Sequence, residues 1–190
     1  MSKIKIAIDP GHGMSSRTAG VLDPGAIGLQ GLREADIVLQ WALTGKFVLE
    51  QQFGFEVHLT RLSNSDPAPL GTRDDIANKN GCVAFISLHC NASAAPQANG
   101  AETFYRDAKD QDLAKAAQNI LVRMGMRNRG VKSETQSQHK SLAVFNFKGP
   151  ATLIEIGFIT NQKDVKFMTD RETRIKFWEA MGAELKKRYN

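Results

Sequence analysis

Three apolar runs in this sequence of 190 residues lead into side chains that bind metals or move protons. Ile4-Lys5-Ile6-Ala7-Ile8 runs into Asp9-Pro10-Gly11-His12-Gly13, and Val83 to Leu88 runs into His89-Cys90-Asn91. Glu155 stands inside a third run, between Ile154 and Ile156, with Gly157 just beyond. Two neutral imidazoles and one carboxylate, with a fourth position open to water, make the usual hydrolytic zinc site. His12 and His89 supply the imidazoles. The third ligand should be a carboxylate on a rigid element, and Glu34, in the first turn of an expected helix, is the candidate. Taken alone, Glu34 reads more simply as an acidic residue favoured near a helix N-terminus. Glu155 is costly to bury unless a cation or hydrogen-bond donors meet it. The residues alone leave two readings of it open: part of a site, or an internal ion pair with Arg61 or Arg73.

The remaining candidates rank lower. His58 falls in mid-strand and reads as a half-buried sheet residue, and His139 falls in a polar stretch expected to be a solvated loop. Cys90 is a zinc ligand by type, but in a strand it points away from the face that carries His89. Cys82 and Cys90 bracket one strand, which at about 3.3 Å per residue separates them by roughly 26 Å. That far exceeds the ~7 Å Cα limit for a disulfide. Two free thiols, made in a reducing compartment, are expected.

Positioning these groups requires strands that alternate with helices. Strands are expected at 4–8, 55–60, 83–88, 101–105, 142–145 and 152–156, from short apolar or alternating runs. Helical spacing of apolar residues marks helices from Glu34 to the Gly54 stop, over 70–79, over 113–124, and through Ile175, Trp178, Gly182, Leu185 and Tyr189. Asp107 to Lys140 is accounted for by one helix and a polar loop. The pattern gives a single α/β domain over residues 1–190, with a mixed, mostly parallel sheet flanked by helices. In such sheets ligands sit at the carboxyl ends of the strands, where His12 and His89 fall and Glu155 comes near.

Composition sets wider bounds. With 42% hydrophobic and 24% charged residues, the chain can fill a core, and disorder or a disulfide scaffold is excluded. A net charge of +5 permits an anionic partner without selecting one. Two Trp and two Tyr are too few for the stacking arrays of a single-strand nucleic-acid binder, so no nucleic-acid partner is expected. No apolar run approaches the roughly 18 residues of a membrane span. The start Met1-Ser2-Lys3-Ile4-Lys5 is too interrupted by lysine for a signal peptide, so synthesis in the cytoplasm, as a monomer, is expected.

Seven segments in order resemble the zinc-dependent N-acetylmuramoyl-L-alanine amidases of the type 3 amidase family. They are Ile8 to Gly13, Gly31-Leu32-Arg33-Glu34-Ala35-Asp36, Leu59-Thr60-Arg61, Arg73 to Asn78, Phe85 to Ala92, Gly100 to Tyr105, and Leu153 to Asn161. The resemblance implies that His12, Glu34 and His89 bind Zn2+ and that Glu155 is the essential glutamate, taking a proton from water and returning it to the leaving amine. It implies peptidoglycan as substrate, cut at the amide between the lactyl group of N-acetylmuramic acid and L-alanine. Asn91 could orient substrate or its own loop, and Arg73 is expected in a structural ion pair. No room is seen for the inhibitory helix that some members insert, so an open site is expected. Without a signal or a wall-binding domain, the sequence resembles a phage or prophage endolysin that reaches the wall once the membrane is breached. A zinc peptidase acting within the stem peptide and a non-catalytic glycan-binding or nucleic-acid-binding module, the last disfavoured by the few Trp and Tyr, are the alternatives.

Overall fold

Eight strands and five helices form among residues 3–189, which the computed structural model describes. Met1 and Ser2, where the N-terminal reading begins, and Asn190, the last residue of the expected domain, lie outside the described residues. In chain order the elements are β1 (Lys5–Pro10), β2 (Gly13–Met14), β3 (Leu22–Asp23), α1 (Glu34–Phe53), β4 (Glu56–Leu59), α2 (Arg73–Lys79), β5 (Ala84–Asn91), β6 (Ala101–Tyr105), α3 (Ala108–Arg123), β7 (Asn128–Ser133), β8 (Ala151–Phe158), α4 (Gln162–Thr169) and α5 (Arg171–Tyr189). The main sheet runs β4-β1-β5-β8-β6-β7, and β2 and β3 pair as a small hairpin beside it. Strands β4, β1, β5 and β8 are mutually parallel; β6 opposes β8, and β7 runs parallel to β6. The mixed, mostly parallel α/β sheet is as expected.

Side chains alternate across a strand, so each central strand feeds two cores. Ile6, Ile8, Ile86, Leu88, Ile154 and Ile156 enter the larger one, with Trp41 of α1, Leu113 and Leu121 of α3, and Trp178 and Leu185 of α5. Its tryptophans are fully buried, and their indole N–H groups donate to the carbonyls of Met168 and Trp41 at 2.8 Å. Ala7, Phe85, Phe104 and Leu153 point to the opposite face, where Ala77 of α2 and Val144, Phe145 and Phe147 cover the lower half. The upper half of that face, towards the carboxyl ends of β1, β5 and β8, is left as a cleft of about 730 Å³.

The structure departs from expectation in several places, the small β2–β3 hairpin within the glycine-rich loop among them. The apolar run 142–145 is not a strand: Ala143–Asn146 is a 3-10 turn, because Val144, Phe145 and Phe147 are all needed on the second core and an alternating strand buries only every other residue. Asp107 to Lys140 holds a further strand, β7; its sequence Asn-Arg-Gly-Val-Lys-Ser is polar and interrupted because it is an edge strand. Helix α4 was not expected, and only eight residues form it. Strand β5 continues to Asn91, so His89 and Cys90 lie within it and face opposite ways. Cys90 is buried with its sulfur 3.6 Å from that of Met168, in the larger core, and both cysteines are free.

Candidate metal centre and active site

The loop after β1 turns sharply enough that its carbonyls point inward, and two buried arginines satisfy them. Arg61 donates to the carbonyls of Pro10, Gly11 and Ala35 at 2.7–2.9 Å. Arg73 donates to the His12 carbonyl at 2.6 Å, to Ser16, and to Asp9 at 2.9 Å. Asp9 balances this charge, and it also accepts 2.6 Å hydrogen bonds from Thr60 and Ser87. Burial alone would lift the Asp9 pKa, but the Arg73 charge and the two hydroxyls outweigh it and hold the carboxyl below its ordinary value. The bracing holds His12 in the left-handed region, at φ 61°, a conformation uncommon for a residue with a side chain.

So held, His12 meets Glu34 and His89. His12 Nε2 and His89 Nδ1 each lie 3.0 Å from Glu34 Oε1. Glu34 is the first residue of α1, and its carboxylate is fixed by the backbone N–H groups of Ala26 and Cys90, at 2.8 and 2.9 Å. A Cβ on Gly25 would fall 2.7 Å from Glu34 Oε2, so only glycine lets the loop pass this close. Burial raises the Glu34 pKa, yet hydrogen bonds and charge from the two imidazoles reverse this and hold it far below the usual carboxylate range. The His12 Nδ1 lies 3.0 Å from Asp23 Oδ2; the tautomer that donates there leaves the Nε2 lone pair free towards Glu34. Burial works against protonation of His12, but Glu34 and Asp23 raise its pKa overall.

The three residues fit a zinc ion. Their ligand atoms lie within 4.8 Å of one another. A tetrahedral set with bonds of about 2.0–2.1 Å has its ligand atoms roughly 3.3 Å apart, close to the two spacings about Glu34. The chemistry of the donors agrees: one carboxylate, two imidazoles, and Asp23 as the outer carboxylate that orients a ligating histidine.

Glu155 stands beside this set. It pairs in register with His89 on β5 and with Glu102 on β6, so the three side chains occupy one row on the cleft face. Its Oε2 is buried and, among the described residues, has no hydrogen-bond partner. Neither Arg61 nor Arg73 reaches it, which corrects the ion-pair reading: those guanidinium groups serve the β1 loop. Burial, then the negative charges of Glu34 and Glu102, push the Glu155 pKa well above its ordinary value. A buried carboxyl whose charge is disfavoured, in register with His89 on the cleft face, is suited to trading protons.

All four residues singled out in the sequence, His12, Glu34, His89 and Glu155, thus converge on the cleft. His58 is half-buried on β4 with Glu56 at 2.8 Å, away from them. His139 is exposed on a loop, as expected, though that loop forms a wall of the cleft. Asn91 donates to Glu102 at 3.0 Å. Sequence reasoning gave Asp23 no role; the available signal was an acidic residue just before the Pro24-Gly25 turn that closes the glycine-rich loop.

Comparisons with known proteins place the chain among cell-wall amidases. The family model described as N-acetylmuramoyl-L-alanine amidase matches residues 6–187. The germination-specific N-acetylmuramoyl-L-alanine amidase of Bacillus subtilis is 31% identical over 181 residues, covering 86% of this chain and 70% of that protein. The N-acetylmuramoyl-L-alanine amidase CwlM of Mycobacterium tuberculosis is 28% identical over 200 residues, all of this chain but 46% of that protein. The matches to two other relatives span about a third of those proteins, 34% over 94% of this chain and 32% over 54% of it. Among solved structures, amidase AmiC2 of Nostoc punctiforme superposes with a TM-score of 0.83 at 29% identity, covering 98% of this chain and 97% of that one. With that match running through nearly every element that carries the site, the chain belongs to the N-acetylmuramoyl-L-alanine amidase family.

Proposed function

We propose that the chain hydrolyses the amide joining N-acetylmuramic acid to the L-alanine of the peptidoglycan stem peptide, with a zinc ion held by His12, Glu34 and His89. The observation that carries the reading is the partnerless Glu155 oxygen in register with His89, beside three ligand atoms within 4.8 Å of one another. A zinc ion bound there supplies Lewis acidity, which polarises the scissile carbonyl and makes water acidic enough to attack near neutral pH. The protein does the rest. Glu34, pinned by two backbone N–H groups, and His12, oriented by Asp23, fix the direction of the ligands. Glu155 takes the proton of the attacking water and delivers it to the nitrogen of the departing amine. Its raised proton affinity suits the first of these steps, and its lack of a competing partner among the described residues leaves the carboxyl free for both. The cleft floor of Phe85, Phe104 and Leu153 keeps water from that side.

Purified protein should release stem peptides from peptidoglycan and expose N-terminal L-alanine without freeing reducing sugar ends. Glu155→Gln should cut the rate by about 10²–10⁴-fold while zinc content stays at the wild-type level. A new terminus other than L-alanine would assign the same centre to peptidase action within the stem. Full turnover by Glu155→Gln, or by metal-stripped protein, would refute the mechanism. Action as an endolysin belongs to the same proposal. It predicts that cells expressing the chain stay intact until their membrane is permeabilised and then lyse.

A further inference from the structure

The row of side chains that carries His89 and Glu155 does not stop at Glu102. Beyond it, on the edge strand β7, Arg129 and Lys132 both reach the same carboxylate oxygen, Glu102 Oε2, at 2.9 and 2.6 Å. Residues three apart on an uninterrupted strand face opposite ways. Here they share a face because β7 carries one extra residue against β6: Ala101 pairs with Asn128, but Thr103 pairs with Val131. The bulge falls at Arg129-Gly130, with Gly130 at φ 98°, a conformation that suits glycine. It is braced from behind by Asn128, whose side-chain oxygen accepts from Gly130 N at 2.9 Å and from Gln118 of α3 at 2.8 Å. Lys132 pairs in register with Phe104, which lines the cleft, so this is the cleft face.

One cation suffices to balance Glu102, and two leave a net positive charge. Arg129 is also fixed rather than waving: its Nε is spent on Glu102, and its guanidinium lies over the Phe158 ring, 4.8 Å from the centroid. Among the described residues its two terminal nitrogens have no protein hydrogen-bond partner, and the side chain is 30% exposed. A planar fork held in place with its outer N–H groups open is the geometry that binds a carboxylate with two parallel hydrogen bonds. Strands stand about 4.8 Å apart, so β7 lies two spacings, roughly 10 Å, beyond the Glu155 strand. An extended peptide covers that in about three residues at ~3.3–3.6 Å each.

We propose that Arg129, with Lys132, forms a subsite for a free carboxylate of the stem peptide, two or three residues beyond the bond that is cut. The subsite rests on the amidase reading for its substrate class, and it makes the enzyme sensitive to whether stem carboxylates are free or amidated. The test uses matched soluble muropeptides, one with free stem carboxylates and one with them amidated, at low fixed salt. Wild-type protein should favour the free acid; Arg129→Gln should lose that preference, with KM for the acid rising about 10-fold or more, and Arg129→Lys should recover part of it. Calorimetric binding of the two stem peptides alone, without turnover, gives a second readout. Loss of acid-over-amide discrimination in Arg129→Gln, with an unchanged melting temperature, supports the subsite. Equal binding and equal cleavage of acid and amide by the wild type would overturn it, as would a fall in kcat alike for both substrates. Discrimination in binding with no cleavage of either muropeptide would sink the amidase reading and leave the subsite standing.

Discussion

At the scale of single residues, the site is a set of carboxylates given different tasks by their surroundings. Glu34 is buried among donors and stays ionised; Glu155 is buried without them and its charge is disfavoured; Asp23 sits outside and aims an imidazole. Asp23→Asn keeps the shape but weakens the hydrogen bond to His12 Nδ1 and allows the wrong tautomer. Zinc affinity should therefore fall about 10- to 100-fold, read by competition with a chromogenic chelator. An unchanged affinity would mean that the loop alone holds His12. Asp9 offers a second test, of sign. Its folded pKa lies below the unfolded value, so its stabilisation is complete above an unfolded pKa of about 3.9 and is lost as pH falls through the folded one. Arg73→Met removes the charge that does most to lower it, and burial, the largest single influence, should then outweigh the Thr60 and Ser87 hydroxyls and raise it. The variant should lose about 3–5 kcal/mol at neutral pH. Its Asp9 should then favour folding below the unfolded pKa and cease to do so as pH rises through the new folded one. Urea unfolding from pH 3 to 8 checks this: the gap to wild type should narrow with acid, and a constant gap would show that Asp9 is not the titrating partner.

At the scale of elements, what the sequence makes legible follows from how each element signals itself. His12, His89 and Glu155 stand out because apolar strands carry them or lead directly into them, and a polar residue there is conspicuous. Glu34 is less legible: taken alone it reads as an acidic residue at a helix N-terminus, and only the need for a third ligand on a rigid element singles it out. Strand β7 is hidden, since an edge strand needs neither alternation nor apolar residues and its bulge breaks the pattern further. The turn 143–146 is hidden for the opposite reason: its apolar run resembles a strand, and only the packing of Val144, Phe145 and Phe147 against the second core decides otherwise. Asp23 is invisible because its partner is settled by the path of a loop. This turn also closes one wall of the cleft, which is clipped to the sheet where Arg106 pairs with Glu134 and donates to the Phe145 carbonyl at 2.7 Å. Arg106→Ala should unclip the wall and raise KM for peptidoglycan severalfold, while zinc affinity, set by β1, α1 and β5, stays as in wild type. A loss of zinc binding instead would show that the wall supports the metal ligands.

At the scale of the whole molecule, the two faces of the sheet divide stability from function. The larger core joins α1, α3 and α5 to the sheet and holds both tryptophans; the smaller one stops halfway up the other face, and the cleft takes the rest. The proposed ligands hang from the loop after β1, from the start of α1 and from β5, so they are built on the upper rim of the large core without being part of it. Damage deep in that core should lower the melting temperature without deforming the site. Met181 on α5 is fully buried there, on the far side of the sheet from Glu155. Met181→Ala should cost about 2–5 kcal/mol, the usual range for emptying such a position. For a chain of this size that is a fall in Tm of about 4–20 °C, at ~2–4 °C per kcal/mol. Well below the new Tm, kcat/KM on a soluble muropeptide and zinc affinity should both stay within about twofold of wild type. Phe145→Ala is the converse, since Phe145 belongs to the small core and to the wall beside the cleft. It should lower kcat/KM by more than its Tm loss foretells. If both variants lose activity in proportion to stability, the two faces form one cooperative unit and the division fails.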